Sequence, residues 1–137
     1  MRLIKDPESG WIKEILSLED FQNSLIKLEN LIKNSGIKYT NIIAIPRGGL
    51  VAGVWLSHHL NIPMIMRTPY LTFGPILIVD DIADTGKTLS KTDPKMHSAC
   101  LYYKKRSIVK PTYYAEETEN WIVFPWELIN GEINREI

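Results

Sequence analysis

Two adjacent carboxylates, Asp80 and Asp81, follow the apolar run Ile76-Leu77-Ile78-Val79 and precede a third acid with a short polar turn, Asp84-Thr85-Gly86-Lys87-Thr88. Neighbouring carboxylates accept hydrogen bonds from vicinal hydroxyls, directly or through metal-bound water. A turn of small hydroxyl donors around a permissive glycine can wrap a phosphate with its backbone N–H groups. This order of parts fits a sugar phosphate. The competing structural reading makes one of the two aspartates a helix cap. The GxxxxGK[ST] spacing of a Walker loop is absent. A second candidate anion loop is Pro46-Arg47-Gly48-Gly49, whose glycines let backbone amides converge on negative charge. Read alone, that Arg-Gly-Gly turn is weak evidence; with the acidic motif it becomes strong.

Both motifs need strands to deliver them. The run 76–79 is apolar without alternation, as in a parallel strand covered on both faces. Asn41-Ile42-Ile43-Ala44-Ile45 reads as a first central strand ending at the Arg47 loop, and Met64-Ile65-Met66 as a short second one. A further strand is expected over 98–103, and a last one at Ile122-Val123-Phe124, cut by Pro125. Ser17 and Asp20 form a capping box, after which Phe21, Leu25, Leu28 and Ile32 recur at helical spacing until Asn34-Ser35-Gly36. A second helix is expected over 50–60 with Val51, Val54 and Trp55 inward and His58 a further candidate for that face, ended by Asn61-Ile62-Pro63. Residues 85–91 offer a short helix, 67–74 a connection containing Pro69, Tyr70 and Phe73, and 104–120 a long polar connection. Strands alternating with helices predict a doubly wound α/β fold. Ligands on such sheets sit beyond the carboxyl ends of the strands.

The chain has 137 residues, a length that reads as one domain spanning 1–137. Sixteen basic and sixteen acidic side chains cancel, which argues against a general nucleic-acid or membrane surface. The dense cationic cluster is Lys104-Lys105-Arg106. Cys100 is the single cysteine, so an internal disulfide is excluded; in a strand it reads as a small buried hydrophobe. His58, His59 and His97 lack metal-ligand spacing and read as solvent-facing or helix-surface residues. No stretch reaches the roughly 18 apolar residues of a membrane span, and the first residues lack the apolar core of a signal peptide. A cytoplasmic protein is expected.

From about Trp11 to Glu127 the chain resembles the type I phosphoribosyltransferases, closest to the xanthine-guanine and hypoxanthine-guanine purine enzymes, most specifically over 79–88. The resemblance implies a mainly parallel five-stranded sheet with helices on both faces and, here, a shortened flexible loop at 67–74. It implies transfer of a phosphoribosyl group from 5-phosphoribosyl 1-pyrophosphate to a 6-oxopurine (guanine, xanthine or hypoxanthine) with Mg²⁺ bound and pyrophosphate released. In that pattern Asp80 and Asp81 hold the ribose, with Asp81 in the metal shell. Thr85, Gly86, Lys87 and Thr88 take the 5′-phosphate, Arg47, Gly48 and Gly49 the pyrophosphate, and the Pro46–Arg47 bond is a candidate cis peptide. Asp84 stands at the imidazole edge of the base, where it accepts or shares a proton. Lys104 donates to the 6-oxo group, a choice that disfavours adenine. Lys105 and Arg106 read as surface. Trp121 and Ile122 match the pair that stacks on the purine and offers it main-chain groups; core packing is the competing reading of Trp121. Glu127 falls where relatives place an acid near the pyrophosphate-side metal. Partners are implied to be small molecules only, in a homodimer or homotetramer. The alternatives are a phosphoribosyltransferase for another base and a non-catalytic sensor of nucleotide or activated sugar. The presence of both Asp84 and the Arg47 loop weighs against the sensor.

Overall fold

The computed structural model describes residues 1–67 and 73–127. Most of the 67–74 connection, including Pro69 and Tyr70, therefore lies outside the described residues. The chain divides into two compact units, Ser24–Thr118 and Met1–Asn23 with Glu119 onward.

The larger unit is built on five parallel strands: β3 (Asn41–Ala44), β4 (Met64–Ile65), β5 (Ile76–Ala83), β6 (His97–Tyr103) and β7 (Tyr113–Glu117). They lie in the order β4-β3-β5-β6-β7, flanked by helices, which is the expected α/β class. From β3 the chain first winds to β4 and then returns to place β5 on the other side. The order thus reverses between β3 and β5, the place where open α/β sheets bind ligands. The core joins Ile43, Ile76, Ile78, Ala83, Leu89, Cys100 and Tyr103. Cys100 is fully buried, as a small hydrophobe should be.

The fifth strand corrects the expectation. It is Tyr113–Glu117, inside the segment expected to be a polar connection, whereas Trp121–Val123 (β8) belongs to another sheet. An edge strand buries little of either face, and β7 is half-buried over Tyr113–Glu116 and exposed at Glu117, so its Tyr-Tyr-Ala-Glu-Glu composition carries no hydrophobic alternation.

Helix α1 (Leu18–Asn34) begins as expected: the Ser17 N–H donates to Asp20 Oδ2 and the Asp20 N–H to Ser17 Oγ, both at 3.0 Å. Phe21, Leu25, Leu28 and Ile32 are all buried. Helix α2 (Gly49–Leu60) ends at Asn61 in the left-handed conformation, two residues before Pro63. Its inward face, however, is Gly49, Ala52, Gly53 and Leu56, while Val51, Val54 and His58 are exposed and Trp55 is half-buried. Close approach decides this: a Cβ on Gly53 would sit 2.5 Å from the Ala44 Cβ. Glycine stands at 49 and 53 because a side chain at either position would collide with the sheet. Helix α3 is the short Lys87–Ser90.

The smaller unit holds a three-stranded sheet, β1 (Arg2–Lys5), β2 (Ile12–Ile15) and β8, in which β1 and β2 are antiparallel and β2 and β8 parallel. The hairpin turn is organised by Asp6, which accepts the Ser9 N–H at 2.8 Å, and by Gly10 at φ 77°. No expectation covered β1, which is exposed along its length, or β2, which is half-buried around the buried Glu14.

Candidate active site

Strand β5 outruns its neighbour. The β3–β5 register ends at Ala44 opposite Val79, whereas β5 continues through Asp80 and Asp81 to Ala83 beside β6. The two carboxylates therefore lie beyond the carboxyl end of β3, where the chain enters residues 46–49. The Ile45 N–H still donates to the Val79 carbonyl at 2.9 Å, and the Gly49 N–H to the Ile45 carbonyl at 2.8 Å, which fold the loop back onto β5. A Cβ on Gly49 would lie 2.5 Å from the Val79 carbonyl oxygen, and one on Gly48 would overlap the Asp81 carboxylate. Both glycines are required by contact with the acidic motif itself. The Pro46–Arg47 peptide is cis. Arg47 is exposed.

Asp80 is 8% exposed, and Asp81 is half-buried beside it. Asp80 Oδ1 accepts the Asp81 N–H at 2.9 Å, and Asp81 Oδ1 accepts the Ile82 N–H at 2.7 Å. Burial, followed by the charge of Asp81, pushes the Asp80 carboxyl up to about 8, and burial raises Asp81 as well. Two acids held this close in a poorly solvated place share protons as a pair. A helix-cap reading is set aside, since both sit within a strand.

The phosphate-type turn follows. Gly86 adopts φ 83°, and a Cβ there would meet Ser107 Oγ at 2.5 Å and the Ile108 and Val109 nitrogens at 2.8 Å. The Lys87 N–H lies 3.3 Å from Thr85 Oγ1, and Thr85, Lys87 and Thr88 are exposed. The turn is braced from the segment after β6, where the Ile108 N–H donates to the Thr85 carbonyl at 2.9 Å.

Lys104 is only 3% exposed, and its Nζ lies 3.4 Å from Asp84 Oδ1. The same oxygen accepts from Arg106, through Nε at 2.8 Å and through Nη2. Arg106 therefore joins a site residue rather than standing as plain surface. Sequence reasoning missed it because a run of three cations carries the same signal whether or not one of them finds a carboxylate. Arg47, Gly48, Gly49, Asp80, Asp81, Asp84, Thr85, Gly86, Lys87, Thr88 and Lys104 all fall in the larger unit.

Trp121, Ile122 and Glu127 belong to the smaller one. Trp121 is 54% exposed with the Lys13 ammonium 5.4 Å from its ring centroid, so it is no core residue; Ile122 is buried. Glu127 Oε1 accepts the Phe124 N–H at 2.8 Å while the Glu127 N–H donates to the Phe124 carbonyl at 2.9 Å, closing a turn. Among the described residues no three His, Cys, Asp or Glu side chains form a metal-binding group. His97 lies 2.5 Å from the Tyr39 hydroxyl, and His59 stacks on Trp55, so these two are engaged with neighbouring side chains.

Residues 65–129 match the model of the phosphoribosyl transferase domain. The xanthine-guanine phosphoribosyltransferase of Cereibacter sphaeroides is 32% identical over 64% of this chain and 68% of its own length. That of Nitratidesulfovibrio vulgaris is 30% identical over 65% and 69%. Among solved structures, a purine phosphoribosyltransferase from Pyrococcus horikoshii superimposes with a TM-score of 0.74 at 31% identity, covering 85% of this chain and 95% of that one. The Helicobacter pylori xanthine-guanine-hypoxanthine phosphoribosyltransferase shares the fold, with a TM-score of 0.72 at 23% identity over 88% and 96%. With its strand order, its glycine loop packed on the acidic pair and these likenesses together, the chain belongs to the type I phosphoribosyltransferase family.

Proposed function

We propose that the protein transfers the phosphoribosyl group of 5-phosphoribosyl 1-pyrophosphate to the N9 nitrogen of a 6-oxopurine, giving a purine ribonucleotide and pyrophosphate. The observation that carries this reading is the direct packing of Gly48 against the Asp81 carboxylate, which brings the Arg47-Gly48-Gly49 turn beside the Asp80–Asp81 pair. In the reaction the C1′–oxygen bond to pyrophosphate breaks, C1′ bonds to N9, and the N9 proton leaves the base. Asp80 and Asp81 hold the ribose hydroxyls, and the 85–88 turn holds the 5′-phosphate. Arg47 and the loop amides receive the charge growing on pyrophosphate. Asp84 takes or shares the imidazole proton, and Lys104 donates to the 6-oxo oxygen. The exposed Trp121 ring supports a role as a stacking surface for a planar base, with Ile122 offering main-chain groups.

The hard oxygen donors of the Asp80–Asp81 pair fit Mg²⁺, which binds through one or two carboxylates together with substrate oxygens. When bound there, with Asp81 as the chief protein ligand, the ion would neutralise the leaving pyrophosphate. Glu127 is the second proposed metal-side acid, a role that competes with its turn-closing bond to Phe124.

The test is nucleotide formation from phosphoribosyl pyrophosphate with guanine, xanthine, hypoxanthine and adenine, each with and without Mg²⁺. Turnover of at least one 6-oxopurine, dependent on the ion and exceeding that of adenine, is expected. Lys104→Met should weaken 6-oxopurine use about tenfold to hundredfold, the size of a lost charge-assisted hydrogen bond. Binding of the activated sugar without turnover of any base would favour the sensor reading.

A further inference from the structure

Arg106 makes an unusual ion pair. A guanidinium normally meets a carboxylate fork to fork, one N–H on each oxygen. Here Nε at 2.8 Å and Nη2 both fall on Asp84 Oδ1, the oxygen that Lys104 Nζ also approaches at 3.4 Å. Two cations share one carboxylate oxygen, and among the described residues no hydrogen bond falls on Asp84 Oδ2. The arrangement is built, because the segment carrying Arg106 is tied to the site at two points. The Ser107 N–H donates to the Lys104 carbonyl at 2.9 Å, and the Ile108 N–H to the Thr85 carbonyl at 2.9 Å. Stability is a weak reason for the pair, since Arg106 and Asp84 side chains are 51% and 41% exposed and exposed pairs contribute little.

We infer that Arg106 is a positioning residue for base recognition, which holds Asp84 by one oxygen and so presents the other to the imidazole N–H of the purine. This rests on the proposed function and adds a specificity determinant to it. With Arg106 in place, the Asp84 carboxylate has a counter-cation other than Lys104, and the buried ammonium is not left as its sole partner. Without it, Asp84 turns toward Lys104 and draws that ammonium from the 6-oxo oxygen. The guanidinium acts through Asp84 and Lys104 and is not itself placed on the substrate.

The experiment compares the full-length protein with Arg106→Gln and Arg106→Lys by initial rates, varying hypoxanthine or guanine and phosphoribosyl pyrophosphate separately, alongside thermal melting. Arg106→Gln should raise KM for the base about tenfold, the effect of one misdirected charged hydrogen bond. KM for the activated sugar and the melting temperature should hold, discrimination against adenine should shrink, and Arg106→Lys should recover part of the loss. An active wild type with an unchanged base KM in Arg106→Gln overturns the inference alone, as does an equal rise in both KM values with a lower melting temperature. A wild type inactive with every purine overturns the proposed function and this inference with it.

Discussion

Asp80 and Asp81 tie function to stability through their protons. Folding raises both carboxyls, so between the ordinary carboxylate value of 3.8 and about 8 the folded chain holds protons that the unfolded chain has released. More protons bound in the native state means that stability falls as pH rises through that window. Asp20, lowered to about 2 by bonds to the terminal amine and Ser17, and Asp6, lowered by Ser9, act in the opposite sense. Their contribution is lost as pH falls below the usual carboxylate range. The ligand-free protein should therefore melt lower at pH 8 than at pH 5. Asp80→Asn, which keeps an acceptor for the Asp81 N–H, should flatten that slope and raise the melting temperature at pH 8 by roughly 5 °C. Calorimetric melts across pH check this, and a parallel slope in the variant would refute it. These acids were legible in the sequence because an apolar strand ending in paired carboxylates has few structural uses. Arg106 was not, since its partner Asp84 lies 22 positions away and only the turn after β6 joins them.

At the scale of elements, what was legible depended on burial. Helix α1 was readable to its first hydrogen bond, because a capping box and a four-residue apolar stripe both report local geometry. The first cap is worth about 1 kcal/mol by comparison with other N-caps. Helix α2 was found but rotated, since its bulky residues predict one inward face and close approach to β3 at Gly53 selects another. Two substitutions separate these ideas. Gly53→Val should destabilise by about 1–3 kcal/mol through overpacking against Ala44. Val54→Ser, on the exposed side, should stay within about 0.5 kcal/mol. Urea unfolding of both variants is the measurement, and the reverse ranking would restore the sequence-based face. Strands β1 and β7 escaped notice because each leaves much of its surface in water, and β2 because its one buried side chain is a glutamate, Glu14, so no apolar alternation marks it.

For the molecule as a whole, the fold class was legible because βα alternation leaves few topologies, while membership of the fifth strand was not. Two runs, 113–117 and 121–123, compete for that place, and the more hydrophobic one joined the other sheet. Assembly is a separate matter. The family resemblance implies a homodimer or homotetramer, and sedimentation should give a mass of two or four chains of 15.8 kDa; a single-chain species at enzyme-assay concentrations would refute that proposal. Among the described residues no helix is long and apolar enough to cross a membrane.

Each of the three site aspartates is moored by Oδ1 to an N–H or a cation supplied by the protein: Asp80 to the next amide, Asp81 to the one after, Asp84 to Arg106 and Lys104. Side-chain torsions that a ligand would otherwise have to freeze are stopped in advance. Titration calorimetry with the activated sugar should accordingly show only a small entropic penalty from the Asp80 and Asp81 side chains.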